Sequence, residues 1–209
     1  MRQIMPDLKI AAREGGNARG QAVSEQILRA ALGILVDQGM EAFTMRKIAA
    51  AANIPLGNLS YYFKSKQYLL EALIDAMASG YEEAAHQLIS GSNRSPERKL
   101  RDLISWTMRD LASRKAKRLL PHLRDFSNIR EMIEKRVENL YIKEQKLMTS
   151  LIKQINPTIK EVEARDIAVF ITATMEGFAA LVGNGRPWND RLVPMEELVV
   201  KSFIALIKP

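Results

Sequence analysis

Residues 44–63, TMRKIAAAANIPLGNLSYYF, leave the chain little freedom in how it folds. Asn53 and Pro55 interrupt two apolar-patterned runs, each too short to persist as an isolated helix. In the first run Ile48, Ala49 and Ala52 recur at helical spacing, with Thr44 placed to cap the helix. Asn53 ends it, because Asn is second only to Gly in tolerating positive φ. Pro55 falls in the first turn of the next helix, where its missing N–H costs nothing. Leu59 and Phe63 point to a core, and the 100° step turns Gly57, Asn58 and Tyr61 the other way, with Tyr62 at the margin. Two short helices around a tight turn, the second with an outward polar and aromatic face, form a helix-turn-helix pattern. The major groove, about 12 Å wide, admits one such helix. Ala49, Ala50, Ala51 and Ala52 are the small residues expected to let the two helices pack closely.

The flanking sequence predicts an all-α chain, since no run alternates apolar and polar residues between turn signals. Residues 1–22, with Arg13, Gly15, Gly16, Arg19 and Gly20, read as a flexible basic arm, either disordered or reaching along DNA. Ser24 is the expected N-cap of a first helix whose stripe is Ile27, Leu28, Ala31, Leu32 and Leu35, ending at Gly39. Ser65 opens a fourth helix with Leu69, Leu70, Leu73, Ile74 and Met77 on its apolar face, running on toward Tyr81 and Leu88. Further helices are expected over about 96–112, 116–126, 128–155, 160–183 and 194–207, with Pro194 opening the last. Breaks fall at 91–96, at Asn156-Pro157-Thr158 and at 183–194. The expected division is an arm at 1–22, a helix-turn-helix domain at 23–68 and a larger helical domain at 69–209.

Composition narrows the function. There is no cysteine, which excludes disulfides, thiolate metal sites and cysteine nucleophiles. His86 and His122 are the only histidines and have no clustered carboxylates, so neither a metal site nor a catalytic dyad is expected. No glycine-rich phosphate loop, dinucleotide fingerprint or nucleophile elbow occurs, so no enzyme and no cofactor is expected. No stretch is long and apolar enough for a membrane span and no signal peptide is evident, so a cytoplasmic protein is the expectation. The net charge is +7; residues 1–66 hold 9 Lys and Arg against 5 Asp and Glu, and residues 67–209 hold 22 against 19. That surplus suits a nucleic acid, though a merely soluble basic surface accounts for it as well.

The stretch ILRAALGILVDQGMEAFTMRKIAAAANIPLGNLSYYFKSKQYLL resembles the TetR family of bacterial regulators. Gly39, Thr44, Ile48, Ala49, Gly57, Leu59, Phe63, Lys66, Leu69 and Leu70 stand where the family pattern expects them. Two positions depart: Ser60 replaces the usual Tyr and Tyr62 the usual His. The resemblance implies a repressor that binds double-stranded operator DNA as a homodimer and leaves it when a small effector binds. It assigns phosphate contacts to Thr44 and Lys66, with Arg46 and Lys47 as exposed basic candidates. Pro55, Leu56, Gly57, Asn58, Ser60 and Tyr61 would face the groove: Gly57 allows close approach, Asn58 can pair with a base edge, and Tyr61 and Tyr62 can reach phosphates.

Beyond about residue 75 the resemblance fades. In the family the last two long helices pair with their two-fold mates, which would here be 160–183 and 194–207. The expected buried positions are Ile167, Phe170, Ile171, Ala173, Ala180 and Leu181, then Leu198, Val199, Phe203, Ile204 and Ile207. Trp106, Met108, Phe126, Met132, Tyr141, Met148, Met175 and Phe178 are the candidate lining of an effector site, although a Met and aromatic stripe is as readily ordinary core. Scarce internal charge points to an apolar or aromatic effector. Two alternatives remain open: a constitutive DNA binder whose helical domain only contacts proteins, and a ligand-binding or enzymatic bundle with a relic DNA head.

Overall fold

The computed structural model describes residues 8, 18–90, 93–124 and 130–208. Among them the helices are α1 (Ala18–Gln38), α2 (Met45–Ala51), α3 (Leu56–Tyr62), α4 (Lys66–Ser90), α5 (Pro96–Leu111), α6 (Arg114–Arg124), α7 (Arg130–Ile155), α8 (Glu161–Leu181) and α9 (Leu192–Ile207), with one 3-10 turn at Asn189–Arg191. No strand occurs among the described residues, as the sequence pattern predicts. Helices α5 to α9 begin and end within two residues of expectation. The described residues divide into two compact units. The first holds the chain up to Glu83 together with Arg118–Val137; the second holds Ala84–Lys117 and the chain from Glu138 onward.

In the first unit α1 starts earlier than expected. Ser24 is no cap: it lies inside the helix and is buried, so residues 18–22 are helical rather than part of a loose arm. Ala18, Gln21 and Ala22 are good helix formers, and Ser24 falls one turn before Ile27 and Leu28, on the inward face. Arg13, Gly15 and Gly16 lie outside the described residues. Gly39 ends α1 with φ 76° and donates its N–H to the Leu35 carbonyl at 3.2 Å. Ile27, Leu28, Leu35, Phe43, Ile48, Leu59, Leu69, Leu70 and Leu73 are buried to 1% exposure or less. Leu32 and Met77, expected on the inward stripes, are only half-buried. Helix α4 is capped by Ser65, whose Oγ accepts from the Tyr68 N–H at 3.1 Å, and runs unbroken to Ser90.

The second unit is built around α5, α8 and α9. Leu100, Leu103, Ile104, Met108, Met148, Ile152, Ala168, Ile171, Met175, Phe203, Ile204 and Ile207 share one apolar core. Helices α5 and α9 run antiparallel and are pinned at both ends. Arg109 grips the buried Glu196 carboxylate with two bonds, Nε to Oε2 at 2.7 Å and Nη2 to Oε1 at 2.9 Å. At the other end Lys208 pairs with Glu97 at 3.0 Å, and that bond holds the Glu97 carboxyl below the usual carboxylate range. Asn156 sits buried between α7 and α8: its Nδ2 donates to the Ile207 carbonyl at 3.0 Å, and its Oδ1 accepts from the Thr158 N–H at 3.1 Å and hydroxyl at 2.7 Å. One side chain thereby fixes the α7–α8 corner and the end of α9. Helix α9 opens at Leu192, and Pro194 is its third residue rather than its first. A proline is tolerated throughout the first turn, so the 3-10 turn before it extends the helix by two residues.

No helix among the described residues is long and apolar enough to cross a membrane. Phe43, fully buried in the loop between α1 and α2, is the largest side chain closing the first unit's core. Phe43→Ala should cost about 3–5 kcal/mol, read as a lower midpoint in urea unfolding followed by circular dichroism; a loss below about 1 kcal/mol would mean the loop does not close that core.

Candidate nucleic-acid interface

The turn between α2 and α3 is closed by three backbone bonds. The N–H groups of Ala52, Asn53 and Ile54 donate to the carbonyls of Ile48, Ala50 and Ala49 at 2.8, 3.0 and 3.0 Å. Asn53 has φ 51°, the only positive φ among the described non-glycine residues, so the left-handed turn expected of it is present. Pro55 follows at φ −59° as the N-cap of α3, and its carbonyl accepts from the N–H groups of Asn58 and Leu59 at 3.0 and 3.1 Å. Thr44, with φ −122° and ψ 146°, caps α2: its hydroxyl accepts from the Lys47 N–H at 3.3 Å. Ala49 and Ala52 are buried, whereas Ala50 and Ala51 are exposed. The four-alanine packing face is therefore two alanines, because residues one apart on a helix turn 100° from each other.

Helix α3 buries Leu59 and follows it with Phe63, also buried, whose N–H closes the last turn on the Leu59 carbonyl at 2.8 Å. Apart from Tyr62, its other residues face outward. Pro55, Leu56, Gly57, Asn58, Ser60 and Tyr61 are exposed, Tyr61 to 76%. Tyr62 is half-buried and meets Tyr61 edge to face at 5.3 Å between ring centres. A Cβ added at Gly57 would meet nothing within 4 Å, so no neighbour in the fold requires glycine there. Thr44, Arg46, Lys47 and Lys66 are exposed as well, on the same compact unit. Two exposed side chains beside this set escape the sequence pattern. Lys64 lies in the α3–α4 connection, where the Lys-Ser-Lys doublet was the available signal. Tyr68, 48% exposed, sets its ring 6.3 Å from that of Phe63.

Of the expected effector-lining residues, five lie in or against one core. Met108, Met148, Met175 and Phe178 are buried in the second unit's core, and Trp106 packs against that core while partly exposed. Tyr141 is half-buried and donates its hydroxyl to Glu176 Oε1 at 2.8 Å. Phe126 and the Met132 side chain lie outside the described residues. Glu144, half-buried and one turn beyond Tyr141 on α7, has no sequence signal that sets it apart. Burial, and then the like charge of Glu176, push its carboxyl up to about 7.

Residues 27–73 match the family described as bacterial regulatory proteins, tetR family. That match shows a tetR-family segment at residues 27–73 of this chain. An HTH-type transcriptional regulator from the dhlA 5' region of Xanthobacter autotrophicus is 44% identical over 54 residues, which are 26% of this chain and 27% of that protein. The class C tetracycline repressor protein of Escherichia coli is 42% identical over 53 residues, 25% of this chain and 24% of that one. The chain thus spans about a quarter of the length of these curated relatives. The crystal structure of a TetR-family transcriptional regulator from Mesorhizobium loti superimposes with a TM-score of 0.74 at 14% identity, over 91% of this chain and 98% of that one. At that identity the likeness carries the fold of this chain and nothing finer.

Glu144 gives this chain a pH-dependent contribution to stability. In the unfolded chain a glutamate titrates near 4.5, and folded Glu144 near 7, so the folded state holds the extra proton between those values. Stability should fall as pH rises through that window. Thermal melts at about pH 5 and about pH 8 should differ less for Glu144→Gln than for the parent chain; equal differences would place the titration elsewhere.

Proposed function

We propose that this protein is a homodimeric DNA-binding repressor of the TetR family acting in the cytoplasm, in which α3 reads operator bases and a small apolar or aromatic effector releases it. In this reading residues 23–68 form the reading head and residues 69–209 the effector and dimer domain. The observation that carries it is the outward side of α3: six exposed positions, one of them a glycine that the fold itself does not demand. A backbone bare at Gly57 can approach a groove wall closely. Asn58 supplies the bidentate donor and acceptor that fit an adenine edge. Thr44, Arg46, Lys47, Lys66 and the hydroxyls of Tyr61 and Tyr62 supply phosphate contacts, which fix register without reading sequence. Ser60 and Tyr62, where the family usually has Tyr and His, would make the preferred operator this protein's own.

Dimerisation is supported by what α8 and α9 leave uncovered. The residues expected at the pairing face separate into two sets. Ile167, Ile171, Val199, Phe203, Ile204 and Ile207 are buried within the second unit, while Phe170, Ala173, Ala180, Leu181 and Leu198 are exposed or only half-buried. With Val162, Val169, Val193 and Leu206 this second set makes an apolar surface larger than scattered single residues would. Two half-sites about one helical turn apart would then be read together. The burial of Met108, Met148, Met175 and Phe178 supports the second reading, a constitutive binder, since an effector would have to displace packed core; Trp106 and Tyr141 are the more accessible candidates.

Asn58→Ala/Tyr61→Ala should weaken binding to the promoter upstream of the protein's own gene at least about tenfold in a gel shift, at roughly 1–3 kcal/mol per good base contact; unchanged affinity would remove α3 from the groove. Phe170→Glu/Leu198→Glu should shift the chain from dimer to monomer in sedimentation, and an unaltered dimer would move the pairing face off α8 and α9. Addition of small apolar and aromatic compounds to the protein–promoter complex separates the repressor from the constitutive binder.

A further inference from the structure

In the second unit the loop after α8 is fastened onto the corner between α5 and α6. The Asn184 N–H donates to the Ala112 carbonyl at 2.8 Å, and Lys117 Nζ donates to the Gly185 carbonyl at 3.0 Å. Gly183 adopts φ +127°, and a Cβ there would come within 2.8 Å of the Ala112 Cα, so only glycine lets the two segments touch. The Arg186 N–H closes a turn on the Gly183 carbonyl at 2.9 Å. Segments some seventy residues apart in sequence thereby form one fixed surface. It carries Arg114, Lys115 and Lys117 from α6 and Arg186 from the loop, with Arg114 and Arg186 exposed and the two lysines half-buried.

Among the described residues none of these four cations takes a carboxylate in an ion pair; Lys117 is held by a neutral carbonyl. Asp190 is the single acid in residues 183–191, and Arg191 follows it. Trp188, 58% exposed, stands on the same loop. Like charges gathered on a rigid surface repel one another, and an anionic polymer laid across them removes that repulsion and releases its own counterions.

We propose that this corner is a second, sequence-blind contact for DNA phosphates, supplied by the helical unit in addition to α3. The assignment rests on the reading of the chain as a DNA binder and deepens it by moving part of the affinity away from the reading helix. Charge complementarity selects the occupant: duplex DNA offers one charge per about 1.7 Å along its axis, at a spacing a row of cations can follow without reading bases.

The test uses the full chain and two duplexes of about 30 base pairs, one from the promoter upstream of its own gene and one scrambled. Arg114→Ala/Lys115→Ala/Arg186→Ala should make the plot of log affinity against log salt shallower by about 0.9 for each phosphate that is no longer neutralised. At low salt both duplexes should bind about tenfold more weakly, with their ratio unchanged. Arg114→Lys/Arg186→Lys should keep the parent slope. Arg186→Glu alone, a single change on a surface loop, should shift the slope the same way and guards against a fold defect in the triple variant. An unchanged slope, or a weakening confined to the promoter duplex, overturns the proposal, the former being the outcome if the corner instead serves an acidic protein. Asn58→Ala/Tyr61→Ala should do the opposite, erasing the preference between duplexes. If the parent chain binds neither duplex, the DNA-binding reading falls and the basic corner with it. If the parent binds and the triple variant keeps its affinity and slope, the basic corner alone falls.

Discussion

Helix α3 is seven residues long, and an isolated helix of that length does not persist in water. Its existence depends on being held from behind. Leu59 is fully buried, Phe63 closes the last turn, and the left-handed Asn53 with Pro55 sets the angle at which the helix leaves α2. Ile48, Ala49 and Ala52 on α2 provide the wall it leans on, and the Ala52 carbonyl also accepts from the Gln26 side chain at 2.6 Å, tying the turn to α1. Because one side of α3 is consumed by this support, the other is free of internal duties, and the open space at Gly57 is the clearest sign of that freedom. A surface relieved of structural demands on a rigidly held short helix is what groove reading requires.

The second unit uses a different strategy. Its helices are long, and polar side chains at their ends fix the register. Arg109 with Glu196 and Lys208 with Glu97 set α5 against α9, while Asn156 satisfies the α7–α8 corner and the end of α9 at once. Glu196 and Asn156 are buried, so each is retained only because its bonds are complete. The half-buried carboxyls of Glu144 and Glu176 on α7 and α8, with Tyr141 bonded to the latter, are a different arrangement, in which burial and then the like charge of Glu176 push the Glu144 carboxyl up. Helix α8 thus meets a titrating neighbour on one side and carries Val169, Phe170 and Leu181 uncovered on another.

Most of the segment from α1 to the start of α4 was legible in the sequence because its signals are local. Thr44 and Ser65 cap where a hydroxyl before a helix is expected to cap, Gly39 and Asn53 take positive φ where a helix must stop, and the 100° step separates Leu59 from Asn58 and Tyr61. The errors have equally local causes. Ser24 resembles a cap until one sees that the preceding residues continue the helix and that a small polar group can be buried. Ala50 and Ala51 are as small as the alanines on either side of them, but the helical step turns them outward.

By itself the sequence determined that the chain is helical, where the helices after α1 begin to within a few residues, and which side of α3 is turned away from the core, since hydrogen bonding, capping and period act over four residues or fewer. Only the tertiary structure decided which apolar residues of α8 and α9 lie inside the second unit and which remain on its surface. A helix apolar on most of its sides has no periodic signal to say which side wins; Ile171 and Phe170 are both apolar and adjacent in sequence, yet one is buried and the other exposed. The meeting of residues 112–117 with 183–186 was equally invisible, because bonds between segments that distant follow from the packing of the helices between them, and no local propensity encodes that distance.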